Sequence, residues 1–246
     1  MAGGTIKSLV GQLRINRGIG TLLILNVVFS LLSQFIPSEY FSLPAETTQT
    51  LLRPWTFLSY MFTQLRFSHF FINLLCLLIV GMLISRMLTS TQSVILYLAG
   101  GISGALFFCF FYSSIPSEYA LHSYLDGSSA AIYALLTYAS LLRPHLKISI
   151  FGIFNAELKW LVAILVMVNI LGLAGENFAA NFAHLGGCFG AAVYFTVIRL
   201  LRMRRGFFRD DDNAELQEIM TKVRVSGYSS LDDNERETLI NQSKEQ

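Results

Sequence analysis

The sequence predicts an all-α, polytopic membrane protein: a bundle of six transmembrane helices followed by a small cytoplasmic helical hairpin. Three observations predict it. The chain is 53% hydrophobic and only 14% charged, where soluble domains carry about a quarter charged residues, and its mean hydropathy is +0.53. Its apolar residues gather into stretches of roughly 15 to 22, and a helix needs about 20 to cross a bilayer. The charges crowd the ends and the short gaps between those stretches. Only helices and closed barrels satisfy their backbone in lipid, and the alternation of barrel strands is absent.

Residues 1–17 are short and basic, with Lys7, Arg14 and Arg17, and are expected to be an N-terminal cytoplasmic segment along the membrane surface. No small-residue cleavage site follows the first apolar run at the usual distance. A retained first span over residues 18–35 is therefore expected, rather than a removed signal peptide. Residues 37–52 mix Glu39, Pro44 and Glu46 with Tyr40, Phe41 and Leu43; Arg53, Pro54 and Trp55 follow. Such a mixture suits the headgroup layer and predicts short interfacial helices. Spans two and three are expected over residues 69–84 and 91–112. A polar connection over 113–125 holds Pro116, Glu118 and His122. Span four, residues 128–142, is short; about 15 residues rise only about 22 Å, so its start must be recessed or reached by water. A basic connection over 143–159 leads to span five, residues 160–173, and span six, residues 181–200.

Six spans put both ends on one side. Arg86, Arg143, Lys147, Lys159 and the cluster Arg199, Arg202, Arg204, Arg205 and Arg209 fall on the side of the termini; the other side has Arg53 and Arg66. The positive-inside bias puts that first side in the cytoplasm and the start of span four toward the outside. The expected organisation is thus a cytoplasmic segment 1–17, a membrane domain 18–205 and a cytoplasmic helical tail 206–246. In the tail, Asp210, Asp211 and Asp212 are placed to cap a helix carrying Leu216, Ile219, Met220 and Val223. Gly227 is placed to end it, and Ser230, Leu231, Asp232 and Asp233 read as a second start.

The chemistry-bearing residues follow from these placements. Ser129 opens span four with Gly127 before it and Ala130 and Ala131 after it. Small neighbours let a peptide approach, and the unpaired amides of a first helical turn can hold a developing oxyanion. Gly101, Ile102, Ser103 and Gly104 form a rival serine motif, but it lies well inside span three, where small residues serve helix packing. His184 lies about one turn into span six, matching Ser129 in depth, and a neutral imidazole can take a serine proton. Its ring is expensive in lipid unless paired or functional. Gly186, Gly187, Gly190 and Ala191 make a smooth face that lets spans four and six touch. His69 and Asn73, one turn apart at the outer start of span two, can both donate to an oxyanion. Tyr133, one turn beyond Ser129, is placed to stack on His184. His122 and His145 read as ordinary connection residues. Asp126 reads as no third catalytic member, and no span holds an acid placed to orient His184; the pattern is a dyad. Cys76, Cys109 and Cys188 read as small buried side chains, with no metal-ligand spacing and no disulfide framework.

The chain resembles the rhomboid family of intramembrane serine proteases over about residues 14–205. The family's Gly-x-Ser-Gly motif at the start of its fourth helix falls on Gly127, Ser129 and Ala130. Its sixth-helix motif, Ala-His-x-x-Gly-x-x-x-Gly, falls on Ala183, His184, Gly187 and Ala191. Alanine replaces the last glycine in both. The second-helix motif His-x-x-x-Asn is matched by His69 and Asn73, and the tyrosine four residues after the serine by Tyr133. The first-loop Trp-Arg pair is partly kept as Leu52 and Arg53, with Trp55 nearby.

The resemblance implies a rhomboid-like six-helix fold and a serine endopeptidase that needs no cofactor or metal. Its partners would be transmembrane protein substrates in the lipid bilayer, not nucleic acid. Cleavage would fall near the outer end of a substrate helix, at small or helix-breaking residues, with the gate near span five and the cap after span four. The tail is similar to extensions on bacterial members, implying a bacterial inner membrane. A non-catalytic rhomboid-like protein that binds or escorts membrane helices is the alternative, motivated by the two alanines. A transporter is disfavoured by the lack of paired ionisable residues and of internal repeats.

Overall fold

The computed structural model of the protein describes residues 15–113, 123–150, 154–174, 178–233, 235–236 and 239. Pro116, Glu118 and His122 of the polar connection lie outside them. The chain divides into two units, Met1–Phe195 and Thr196–Gln246.

In the first unit, α1 (Arg17–Leu32) starts at Asn16, whose side-chain oxygen accepts from the Ile19 amide at 2.9 Å. This is a standard N-cap. The same side chain donates to Ser93 Oγ at 3.0 Å and to the Leu88 carbonyl at 3.2 Å, so the cap also ties α1 to its neighbours. Short elements follow: β1 (Leu43–Pro44), α2 (Thr47–Leu52) and α3 (Thr56–Ser59), with one 3-10 turn before β1 (Ser38–Tyr40) and one after α3 (Tyr60–Phe62). Short helices are what the aromatic and basic mixture predicts. Tyr40 and Trp55 stay half-exposed, and Trp55 Nε1 donates to the Tyr40 carbonyl at 2.8 Å. Arg53 reaches back to the Glu39 carbonyl at 2.9 Å.

Then come α4 (Phe67–Ile84), α5 (Ser90–Ser113), β2 (Tyr124–Leu125), α6 (Ser129–Leu142), β3 (Lys147–Ile150), β4 (Phe154–Glu157), α7 (Leu158–Leu171) and α8 (Phe178–Ser226). Three segments are long and apolar enough to cross a membrane: Phe67–Ile84, Ser90–Tyr112 and Phe178–Arg204. Three shorter apolar helices accompany them among the described residues: Arg17–Leu32, Ser129–Leu142 and Leu158–Ala174. Large apolar side chains stay exposed on the outer helices, Ile24 on α1, Leu75 on α4 and Val168 on α7 among them. A protein whose surroundings are hydrocarbon has no reason to bury them.

The short helix α6 sits at the centre. From Ala130 to Ser140 only Tyr133 is not fully buried. Small residues make this possible. A side chain at Gly100 would run into Ala134, and one at Gly104 would come within 2.6 Å of the Ala130 methyl and 2.9 Å of the Ala183 carbonyl. Behind the start of α6, Tyr60 donates to the Gly101 carbonyl at 2.6 Å and Tyr97 to the Met61 carbonyl at 2.9 Å. Asn26 donates to Tyr97 at 3.1 Å and accepts from Gln64 at 3.0 Å. These buried hydrogen bonds hold the 60–64 segment in one place, although Gln64 Oε1 has no partner of its own.

Two features depart from the expected all-helical pattern. β1 and β2 pair antiparallel, Leu43 opposite Leu125, which ties the first connection to the residues just before Ser129. Two-residue strands leave no periodicity to read. The basic connection after α6 carries two strands paired antiparallel, Lys147 opposite Glu157. At its base Lys159 pairs with Glu157 at 2.8 Å, and the exposed His145 contacts both.

In the second unit, the helix expected to start at Asp210 does not start there, because α8 runs without a break from Phe178 to Ser226. Between Leu200 and Ser226 the only poor helix former of the breaking kind is Gly206, which costs about 1 kcal/mol and need not stop a helix. Three aspartates therefore lie mid-helix rather than at a cap. Gly227 does end the helix, with φ of 82° and its amide bonded to the Val223 carbonyl at 2.9 Å. The second start is also present. Asp232 Oδ1 accepts from the Glu235 amide and Glu235 Oε2 from the Asp232 amide, both at 2.8 Å, a reciprocal capping box. Lys222 pairs with Glu235 at 2.8 Å, and Ile219 and Leu231 are buried.

Candidate active site

Gly127 sets the geometry. Its φ is +113°, a conformation that favours glycine, and its amide donates to the Tyr60 carbonyl at 2.9 Å. The chain turns there, and Ser128 and Ser129 open α6. A side chain at Gly127 would lie 2.6 Å from His69 Cε1 and 3.4 Å from Asn73 Nδ2, so the bare backbone lets both approach.

His184 arrives from α8. Gly187, one turn on, abuts the Ala130 carbonyl, and Gly186 sits against Phe107 and the Ser103 carbonyl. This close seam brings His184 Nε2 to 2.7 Å from Ser129 Oγ. The two residues are 55 apart in sequence and on different helices. Tyr133 stacks on the imidazole, ring centroids 4.5 Å apart and planes within 9°. His69 and Asn73 flank the pair with polar atoms unspent: His69 Nδ1 and Asn73 Nδ2 are buried without a hydrogen-bond partner. Asp126 Oδ2 lies 3.8 Å from His69 Nδ1, too long for a hydrogen bond, and accepts from the Leu65 amide at 3.3 Å.

A cavity of about 600 Å³ opens on this group, lined by Ser129, His184, His69, Asp126, Arg66 and Tyr124 among others. Its wall is mostly polar, as a water-filled site requires. By contrast, the groove of about 450 Å³ between α1 and α4 is lined by Leu23, Val27, Phe71, Leu75 and similar residues, with no reactive group.

A family model for the rhomboid domain matches residues 52–200. The chain belongs to the rhomboid family. No curated protein matches it closely enough to add to that assignment.

The rhomboid motif positions thus converge: His69, Ser129 and His184 line the cavity, Gly127 lies against His69 and Asn73, and Tyr133 stacks on His184. The two alanines fall elsewhere. Ala130 and Ala191 are buried, and Ala130 faces Gly104 and the Gly187 backbone rather than the cavity. The rival serine has a packing task, since Ser103 Oγ donates to the Gly186 carbonyl at 2.7 Å. His145 is on the surface, and the three cysteines are free and partly buried, with Cys188 Sγ 3.3 Å from Thr137 Oγ1.

One residue of the group is absent from the sequence-derived set. Asn169 of α7 is buried, and its Oδ1 is 2.8 Å from His184 Nδ1. A signal existed: a lone carboxamide in the run Leu158–Leu171 is as expensive in lipid as a lone histidine. Here an amide, not an acid, is the partner of His184.

Proposed function

We propose that the protein is an intramembrane serine endopeptidase that cleaves transmembrane segments of membrane proteins with a Ser129–His184 dyad. The single observation carrying this reading is the 2.7 Å contact from Ser129 Oγ to His184 Nε2, made inside a polar cavity of a rhomboid domain. Ser129 Oγ attacks the scissile carbonyl carbon while His184 Nε2 takes its proton. The carbonyl oxygen becomes an oxyanion. The Ser129 amide, unpaired in the first turn of α6, and the side chains of His69 and Asn73 are the donors for it. His69 and Asn73 each keep a buried polar atom unused at rest, which suits groups waiting for a charge that exists only during reaction. His184 then gives its proton to the leaving amine, and the C–N bond breaks. A water molecule, deprotonated by His184, hydrolyses the acyl-enzyme and restores Ser129.

On this reading α1, α4, α5, α6, α7 and the first part of α8 are the six spans, with both termini cytoplasmic. The 14 residues of α6 span about 21 Å, less than the roughly 30 Å hydrocarbon core. On the same reading the start of α6 is recessed, Ser129 lies below the outer surface, and the polar cavity admits water. Substrates are single-span proteins whose helix opens at small or helix-breaking residues, because a carbonyl bonded within a helix is hidden from attack.

The test is cleavage of a single-span substrate by protein reconstituted in liposomes. Wild type should cut it, and Ser129→Ala and His184→Ala should each abolish cutting. Cleavage by Ser129→Ala removes that residue from the role. A wild type that holds transmembrane helices but neither cuts them nor reacts with a fluorophosphonate would favour a helix-binding protein instead.

A further inference from the structure

We infer that Asn169 is the positioning residue of the serine–histidine pair, its carboxamide fixing His184 in the tautomer that leaves Nε2 free to accept the Ser129 proton. The inference rests on the proposed protease reading and concerns a residue that none of the family motifs above contains.

A carboxamide can be turned either way, so its orientation must come from its partners. Asn169 has three: the Leu165 carbonyl at 2.7 Å, the Tyr133 hydroxyl at 3.0 Å and His184 Nδ1 at 2.8 Å. The Leu165 carbonyl can only accept, so the atom facing it must be the amide nitrogen. That nitrogen spends one hydrogen on Leu165 and the other on Tyr133. The atom left facing His184 is then Oδ1, which can only accept. His184 Nδ1 must carry the hydrogen it accepts, so in the neutral ring Nε2 carries none and presents its lone pair to Ser129. A backbone carbonyl of α7 thereby selects, through one side chain, which ring nitrogen is the base.

Burial makes the selection strong. Asn169 is 1% exposed, and all of its hydrogen-bonding groups are satisfied by the arrangement above. Turning the amide over would set its oxygen against the Leu165 carbonyl and its nitrogen against Nδ1–H, leaving unpaired groups in an apolar setting. The same amide holds Tyr133, whose ring lies flat on His184, so the imidazole is fixed in plane by one partner and across its face by the other. A neutral amide orients the ring without the desolvation cost of a buried carboxylate. On α7 the only other buried residue is Leu158, at the start of the helix.

The experiment compares wild type with Asn169→Leu, which keeps bulk and removes every hydrogen bond, and with Asn169→Ala. The first readout is the rate at which a fluorophosphonate labels Ser129 in reconstituted protein, a measure of nucleophile activation that needs no substrate binding. The second is kcat against KM for a transmembrane substrate. The third is 15N NMR of histidine-labelled protein, with the His184 signal assigned by its loss in His184→Ala. Wild type should show His184 protonated at Nδ1. Asn169→Leu should lower both the labelling rate and kcat by about 10- to 1,000-fold, within the loss of up to about 10⁴ seen when a serine protease histidine takes the wrong tautomer. KM should stay within about twofold, and the His184 signals should move toward the Nε2-protonated form.

Wild-type labelling rates in both variants, or a wild-type spectrum with the hydrogen on Nε2, would overturn the inference. The spectrum of the wild type decides it even where a variant fails to fold. Failure of the protease reading looks different: wild type itself would be neither labelled nor able to cut.

Discussion

Gly127→Ala is the sharpest test of how the site is built. The new methyl would sit at φ of +113°, and it would lie 2.6 Å from His69 Cε1 and 3.2 Å from His69 Nε2. A backbone in such a sparsely populated region costs a non-glycine residue about 1–3 kcal/mol. Carbon atoms in contact prefer about 3.5–4.0 Å, so His69 must retreat by roughly 1 Å. Overpacking of this kind costs about 1–3 kcal/mol. The total is about 2–6 kcal/mol if nothing relaxes. His69 is the softer element, since Gly127 is held by its bond to the Tyr60 carbonyl while His69 Nδ1 has no partner to lose. The ring should therefore move, taking with it one of the donors proposed for the oxyanion, and loss of one such donor lowers kcat by about 10²–10³. The assay is kcat in proteoliposomes together with the thermal midpoint in detergent. The double variant Gly127→Ala with His69→Ala separates the two costs. Relative to His69→Ala alone, added Gly127→Ala should now cost only the backbone share, about 1–3 kcal/mol, with activity still low. If Gly127→Ala keeps wild-type kcat and midpoint, the account of why a glycine stands there is wrong.

Other outcomes follow from the same contacts. Ser103→Ala removes one hydrogen bond between α5 and α8, so it should cost about 1 kcal/mol of stability and leave fluorophosphonate labelling of Ser129 within about threefold. Tyr133→Phe keeps the stack on His184 but unpairs one Asn169 amide hydrogen, whereas Tyr133→Leu loses both. Cleavage rates should rank wild type, then Phe at about 3- to 10-fold lower, then Leu; an unaffected Leu variant would remove Tyr133 from the site. In the second unit, the Lys222 ammonium and then the Asp232 amide hold the Glu235 carboxyl below the usual carboxylate range. A carboxyl lowered in the folded state adds stability above its unfolded value, about 4.3, and loses it as pH falls through the lower folded value. Protection of the Asp232 amide from exchange should fall as pH drops through the lowered Glu235 value in wild type, and should show no such acid step in Glu235→Gln, whose amide oxygen can still accept from Asp232. A Glu235→Gln profile that keeps the acid step would refute this pairing.

Much of the site is legible in the linear chain because its parts announce themselves locally. A serine beside Gly127, a histidine in a glycine-rich span and a His69–Asn73 pair one turn apart are each anomalies against an apolar background, where a polar group needs a reason. Helical periodicity then fixes which residues share a face, as it does for Ser129 and Tyr133. The same is true of the tail, where the stop at Gly227 and a second start at Ser230–Asp233 are recognisable from residue type and spacing alone.

What the tertiary structure decided is everything that depends on groups meeting from separate helices. The hydrogen bond from Ser103 to Gly186, the strand pair that ties Leu43 to Leu125, and the choice of Asn169 as the partner of His184 are facts of packing between segments 83, 82 and 15 residues apart. No local pattern encodes these pairings: Ser103, Leu43 and Leu125 look ordinary in their own stretches, and Asn169, though anomalous in its apolar run, does not name its partner. The unbroken run of α8 past Asp210 is the opposite case, a local expectation that failed. Aspartates favour helix starts only where the chain is free to turn, and here the preceding residues were already helical. Sequence by itself determined which atoms are available for chemistry and on which face of a helix they stand. Only the fold decided which of them lie within hydrogen-bond reach, since that distance is set by how closely Gly104, Gly186 and Gly187 let three helices approach.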